Sequence, residues 1–195
     1  MPDIERHPLQ PFLPPDARLL MLGSFPPPRK RWCFDFFYPN RSNMMWVIFG
    51  LVFFGDSQRL VDAPNKTFRL EDIKALLKAR GIAIYDTACA VRRLSGNASD
   101  KDLEIVEKTD IPALLSHIPH CHDIVCTGQK SFSVLTDDYG VPVPAMGTYN
   151  EFTIDGRSMR LWRMPSSSRA YPMPLAEKAA YYEKMMRQVG CLDQD

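Results

Sequence analysis

Arg18-Leu19-Leu20-Met21-Leu22-Gly23-Ser24-Phe25-Pro26 is a short apolar run that ends in Gly-Ser, and its reading decides the fold. An apolar run without polar alternation suits a strand buried on both faces, the habit of a parallel sheet covered by helices. Gly23 lets the backbone approach a ligand closely, Ser24 and the N–H groups after it can donate, and Pro26 to Pro28 stiffen the exit.

The same grammar recurs outward from that stretch. Leu70 to Arg80 carries apolar residues at Leu70, Ile73, Leu76 and Leu77, which predicts an amphipathic helix stopped by Gly81 and followed by a strand, Ile82 to Asp86. Asn43 to Phe54 reads as a helix packed on the sheet, with Ser42 or Asn43 able to cap it. A helical stretch is expected from Asp100, then a further helix opened by Asp110-Ile111-Pro112. His122 to Gly128 reads as a third strand and its turn, with a helix from Gln129 to Leu135. Asp155-Gly156 joins Glu151–Ile154 to Met159–Met164 as a hairpin, and Pro174 to Val189 closes the chain as a helix. Strands alternating with helices indicate an α/β sandwich with a mostly parallel sheet, whose ligands sit at the carboxyl ends of strands.

Composition narrows the function. At 195 residues, 45% of them hydrophobic, the chain is expected to form one domain over 1–195 with its core at about 18–188. A net charge of +1 gives no global electrostatic drive toward nucleic acid, so such a partner would need a local patch, for which Arg29-Lys30-Arg31 with Arg41 is the candidate. The five cysteines at 33, 89, 121, 126 and 191 form no CxxC pair and are expected as reduced, mostly buried thiols. The start lacks the pattern of an export signal, and no apolar run approaches the roughly 20 residues of a membrane span. The expectation is a soluble, cytoplasmic monomer with no membrane partner. His117, His120 and His122 straddle a helix end and a strand start, and solvent-facing residues are expected there rather than a metal site.

Two turns carry the candidate chemistry. Beyond Gly23-Ser24-Phe25-Pro26, the cluster Phe36-Phe37-Tyr38 offers planar faces, and Asn40 and Asn43 offer amides able to donate and accept together, as recognition of a base edge requires. Met164-Pro165-Ser166-Ser167-Ser168-Arg169-Ala170-Tyr171 places hydroxyls at a strand end, followed by a cation and an aromatic. Such a turn can hold phosphates, while Arg169 or Tyr171 could fill a hole left in a duplex. Taken singly, each segment also reads as core aromatics with a helix cap, or as a solvated serine turn.

Together the segments resemble the uracil-DNA glycosylase superfamily, most closely its hypoxanthine-DNA glycosylase and mismatch-specific (uracil/thymine) branches. Gly23-Ser24-Phe25-Pro26 is similar to the Gly-Ser-Phe/Met-Pro turn of the hypoxanthine branch, and Met164-Pro165-Ser166-Ser167-Ser168 to its Leu-Pro-Ser-Thr-Ser motif. Tyr38-Pro39-Asn40-Arg41-Ser42-Asn43-Met44-Met45-Trp46 keeps the Asn-to-Trp spacing of the mismatch branches. Tyr85-Asp86 and the loop from Arg92 to Asp100 resemble a third block, in the family's order.

The resemblance implies a three-layer α/β/α sandwich with a central, mostly parallel four-stranded sheet. It implies a monofunctional glycosylase that flips a deaminated base, uracil or hypoxanthine, out of DNA and hydrolyses its glycosidic bond without metal or cofactor. By position, Tyr38 would stack on the base and Asn43 would be the catalytic amide; Gly23, Ser24, Phe25 and Asn40 would complete the base pocket. Asp86 would orient the water, and Ser166, Ser167, Ser168, Arg169, Tyr171 and Arg41 would meet the DNA. Phe25 stands where the mismatch branches carry a water-positioning Asn, and Asn40 and Arg41 replace their His-Pro. Those departures leave open a non-catalytic module that binds nucleic acid or a nucleotide on the same fold. A hydrolase using one of the three serines is a third reading, but no Gly-x-Ser-x-Gly elbow and no later His support it.

Overall fold

The computed structural model describes residues 3–94 and 102–193. Its first strand is β1 (Ile4–Arg6), and the opening apolar run forms β2 (Leu19–Gly23). Next come α1 (Met45–Phe54), the short pair β3 (Val61–Asp62) and β4 (Thr67–Phe68), α2 (Leu70–Arg80) and β5 (Ile82–Asp86). β6 (Ala88–Arg93) and β7 (Leu103–Lys108) precede α3 (Ile111–Ser116), β8 (Asp123–Cys126) and α4 (Gln129–Tyr139). The hairpin β9 (Tyr149–Ile154) and β10 (Arg157–Arg163) leads into α5 (Leu175–Val189).

The central sheet has the order β5-β2-β8-β10-β9. It is mostly parallel, as expected, but has five strands rather than four: the first four are parallel, and the first arm of the hairpin adds an antiparallel edge strand. Leu19 to Leu22, Ile82 to Ile84 and Ile124 to Cys126 are fully buried, so both faces must be covered. Helices supply that cover: α2 packs on β5, α4 on β8 and β9, and α5 on α1. The free edge of β5 is sealed by Phe12, which exchanges backbone hydrogen bonds of 3.0 and 2.9 Å with Ile84.

The helix expected from Asp100 is a strand instead. Asp100 lies outside the described residues, as does the 95–99 part of the third matched block, but β7 begins at Leu103. Leu103, Glu104, Glu107 and Lys108 suit a helix by propensity; pairing with β6 overrides that preference and turns Leu103 inward, with Glu104 outward. β1 lies on the other edge of β6, giving a second, antiparallel sheet β1-β6-β7 that the sequence reading did not anticipate. A three-residue exposed strand carries no periodicity to detect.

From β2 the chain moves to one side for β5, then crosses to the other side for β8. That reversal opens a crevice beyond the carboxyl ends of β2 and β8, where α/β sheets receive ligands.

Candidate active site

A cleft of about 730 Å³ occupies that crevice, within the usual range for small-molecule pockets. Its floor follows from strand register. Gly23 at the end of β2 lies beside Asp86 at the end of β5, and a Cβ on residue 23 would come within 2.2 Å of Asp86 Oδ1. The carboxylate thus occupies the space a side chain at residue 23 would need, and any Cβ there would displace it.

Asp86 is 8% exposed and lines the cleft. Its Oδ2 accepts a hydrogen bond of 2.8 Å from Nε2 of His7, a residue the sequence reading passed over. The His7 ring lies 4.6 Å from Tyr85 and 5.3 Å, edge-on, from Phe25. Its backbone N–H donates to Cys89 O at 2.8 Å, continuing the β1–β6 pairing. Arg93 of β6 was also missed as a support. Its Nε reaches both Glu5 carboxylate oxygens at 3.0 Å, its Nη2 donates to Pro26 O, and its guanidinium lies 5.6 Å from the Phe25 ring. The first turn is thereby fastened to β1. No local pattern signals either contact, since the partners are 79 and 67 or more residues apart.

One wall comes from the loop before α1. Tyr38 takes a left-handed conformation (φ 51°), uncommon for a bulky residue, and stands edge-on to Trp46 at 5.9 Å. Its hydroxyl pairs with Thr127 Oγ1 at 3.3 Å, and burial pushes it far above the ordinary tyrosine range, so it stays a neutral O–H. Trp46 Nε1 donates to Phe37 O at 3.1 Å and anchors this loop to the core. Asn40 and Asn43 both line the cleft. Each amide oxygen is engaged locally, however: Asn40 Oδ1 accepts from Ser42 N–H and Asn43 Oδ1 from Met45 N–H, both at 2.9 Å. One acceptor site on each amide oxygen is thereby already used within the loop. The oxygens organise the turn and the start of α1, and the NH₂ groups are the donors of the two amides.

The two turns that carried the sequence argument are joined directly. Asn43 and Ser168 form an antiparallel bridge, Met44 N–H donates to Ser167 O at 2.8 Å, and Arg169 N–H donates to Ser42 O at 3.0 Å. Ser24 and Phe25 face the same cleft as Ser166, Ser167 and Ser168. The serine turn is held from below by Lys178, which is 1% exposed and donates to Ser168 O at 2.7 Å. Burial lowers the affinity of that amine for its proton.

Two cations, Arg31 and Arg169, line the cleft, and Arg41 is exposed outside the lining. Among the described residues, Lys30, Arg31, Arg41 and Arg169 take part in no ion pair, whereas Arg29 is paired with Asp35 and lies over Trp32. Tyr171 does not line the cleft; Lys178 Nζ sits 5.4 Å from its ring. The other groups weighed from sequence lie elsewhere. All five cysteines are free thiols, and His117, His120 and His122 are exposed, His122 Nδ1 bonding to Ser158 O at 2.9 Å. Among the described residues no helix is long and apolar enough to cross a membrane.

No protein-family model and no curated protein matches the sequence. Among solved structures, the chain is similar to the solution NMR structure of a candidate uracil DNA glycosylase from Methanosarcina acetivorans. The TM-score is 0.63 at 21% identity, covering 96% of this chain and 99% of that one. In architecture, therefore, the chain is an α/β/α protein with the uracil-DNA glycosylase-like fold.

Proposed function

We propose that the protein is a monofunctional DNA glycosylase that takes a deaminated base, uracil or hypoxanthine, out of DNA and hydrolyses its N-glycosidic bond. The observation that carries this reading is the convergence of Asp86, the Tyr38–Asn43 loop and the Ser166–Ser168 turn on one cleft at the sheet's carboxyl end. The likeness to a candidate uracil DNA glycosylase supports it in fold.

Breaking the bond between base and deoxyribose sends the bonding electron pair to the leaving base and leaves positive charge on the sugar. Donors aimed at the base and a negative group beside the sugar both lower that barrier. The Asn40 and Asn43 NH₂ groups, with backbone N–H groups of the Ser24 turn, suit carbonyl oxygens. Deamination creates such a carbonyl where cytosine or adenine carries an amine, so this donor set favours uracil and hypoxanthine over their parent bases. The Tyr38 ring supplies a stacking face. Asp86 holds a water for attack on the sugar C1′ and accepts its proton, and Lys30, Arg31, Arg41 and Arg169 meet phosphates.

The deciding experiment is base release from uracil- and hypoxanthine-containing oligonucleotides, with undamaged DNA as control. Release from either lesion is expected. No release at micromolar enzyme by a correctly folded protein rejects catalysis, and tight lesion binding without turnover would then favour the non-catalytic module.

A further inference from the structure

We infer that His7 is a positioning residue for the reaction proposed above, on which this inference rests: through its Nε2–H it holds the Asp86 carboxylate aimed into the cleft. The His7 side chain is 2% exposed and does not line the cleft, so it acts through Asp86 rather than on a substrate. Leu9 N–H donates to its Nδ1 at 3.1 Å, which leaves the ring hydrogen on Nε2, facing Asp86 Oδ2 at 2.8 Å. The Leu9 carbonyl, 3.0 Å from the same Nδ1, is placed to accept if that nitrogen also gains a proton. With either the neutral or the doubly protonated ring in this arrangement, Nε2 remains the donor to Asp86.

Three features mark this as more than a packed histidine. Both ring nitrogens are held, one by backbone and one by the carboxylate, and the ring is wedged among Phe25, Phe37 and Tyr85 at 5.3, 6.1 and 4.6 Å. The group it orients has its other oxygen against Gly23, where any Cβ would displace it. The N-terminal strand that delivers His7 is fixed to β6 by the pairings Ile4↔Arg92 and Arg6↔Ala90 and by the Arg93–Glu5 pair. The short exposed β1 thus has a task at the site: it sets the direction of a carboxylate 79 residues later in the chain.

The test compares His7→Leu, which fills the space without a donor, with His7→Gln, whose amide N–H can reach Asp86. By analogy with partners that orient metal ligands, His7→Leu should slow single-turnover base release about 10- to 100-fold. Affinity for the same lesion DNA should stay within about twofold, the mark of an interaction used in the chemical step rather than in binding. His7→Gln should recover most of the rate. A folded Leu variant with the parental rate overturns the proposal, as does a Gln variant that loses as much as Leu, because ring packing would then be what matters. Nitrogen-edited NMR supplies a readout independent of activity: an exchange-protected Nε2–H resonance of His7 that disappears in Asp86→Ala. Its absence from the parent overturns the pair. Its presence in a protein that releases no base rejects the glycosylase reading, and the positioning role with it, while leaving the pair intact.

Discussion

Asp86 and Asp123 are both buried aspartates of the central sheet, 8% and 3% exposed, yet they sit at opposite ends of it and are treated differently. Asp123 opens β8. Its register partner Arg160 on β10 reaches it with Nε and Nη2, both at 2.7 Å, and Trp162 Nε1 donates to Oδ1 at 2.7 Å. Its acceptor capacity is spent on neighbours of the same sheet, as a structural carboxylate requires. Asp86 closes β5, takes its histidine from outside the sheet, and borders the cleft. The contrast teaches that burial alone does not single out the carboxylate to which the proposed reaction is assigned. What distinguishes Asp86 is that it lies at the carboxyl end of the strands, where the helices and loops separate and leave room for a ligand.

The comparison breaks most visibly if the two aspartates are exchanged in their effects. Asp86→Asn should lower the single-turnover rate of base release by about 10²- to 10⁴-fold, the range for a positioned acid–base group, with little change in melting temperature. Asp123→Ala should do the reverse, costing about 3–5 kcal/mol of stability by stranding Arg160 and Trp162, with a parental rate per folded molecule. Denaturant melts and single-turnover assays on both variants decide the matter; a stable but inactive Asp123→Ala would erase the distinction.

A finer division runs through Asn43, which lines the cleft and whose Oδ1 accepts from Met45 N–H at the start of α1. Asn43→Asp keeps an acceptor for Met45 N–H and removes the donor, so the melting temperature should hold while the rate falls about 10²- to 10³-fold. Parental release by this variant would remove Asn43 from the chemistry. Gly23→Ala leaves every polar group in place but drives a methyl against Asp86 Oδ1. Displacement of that carboxylate by about 1 Å should slow release on the order of 10²-fold, and an unchanged rate would show that its position is not critical. The smallest effects belong to the rim. Arg31→Ala and Arg169→Ala should each weaken DNA binding at all sequences and lower the salt dependence by about one counterion, with base release at saturation unchanged. An unaltered salt slope would place the DNA path elsewhere.

Much of the fold was legible because its parts are local. The apolar run before Gly23, the periodicity of Leu70 to Arg80 and the Asp155-Gly156 turn each report on a few neighbouring residues, and α2 and β5 have the expected boundaries. β7 was misread because its glutamates and lysine suit a helix, and only pairing with β6 settles such a segment. At the site, Tyr38, Asn43, Asp86 and the three serines were found through motif resemblance and do share one cleft. The direction of the amides was not legible. That the Asn40 and Asn43 oxygens accept from the Ser42 and Met45 N–H groups depends on backbone conformation rather than residue type.

By itself the sequence determined the parallel-sheet architecture and the chemical inventory of two turns, since both are written in short-range patterns of burial and residue type. Only the tertiary structure decided that those turns meet through the Asn43–Ser168 bridge, that Gly23 makes room for Asp86, and that His7 stands behind it. The reason is physical: strand order and register bring together residues separated by tens of positions, and no local propensity encodes which distant partner a carboxylate will find.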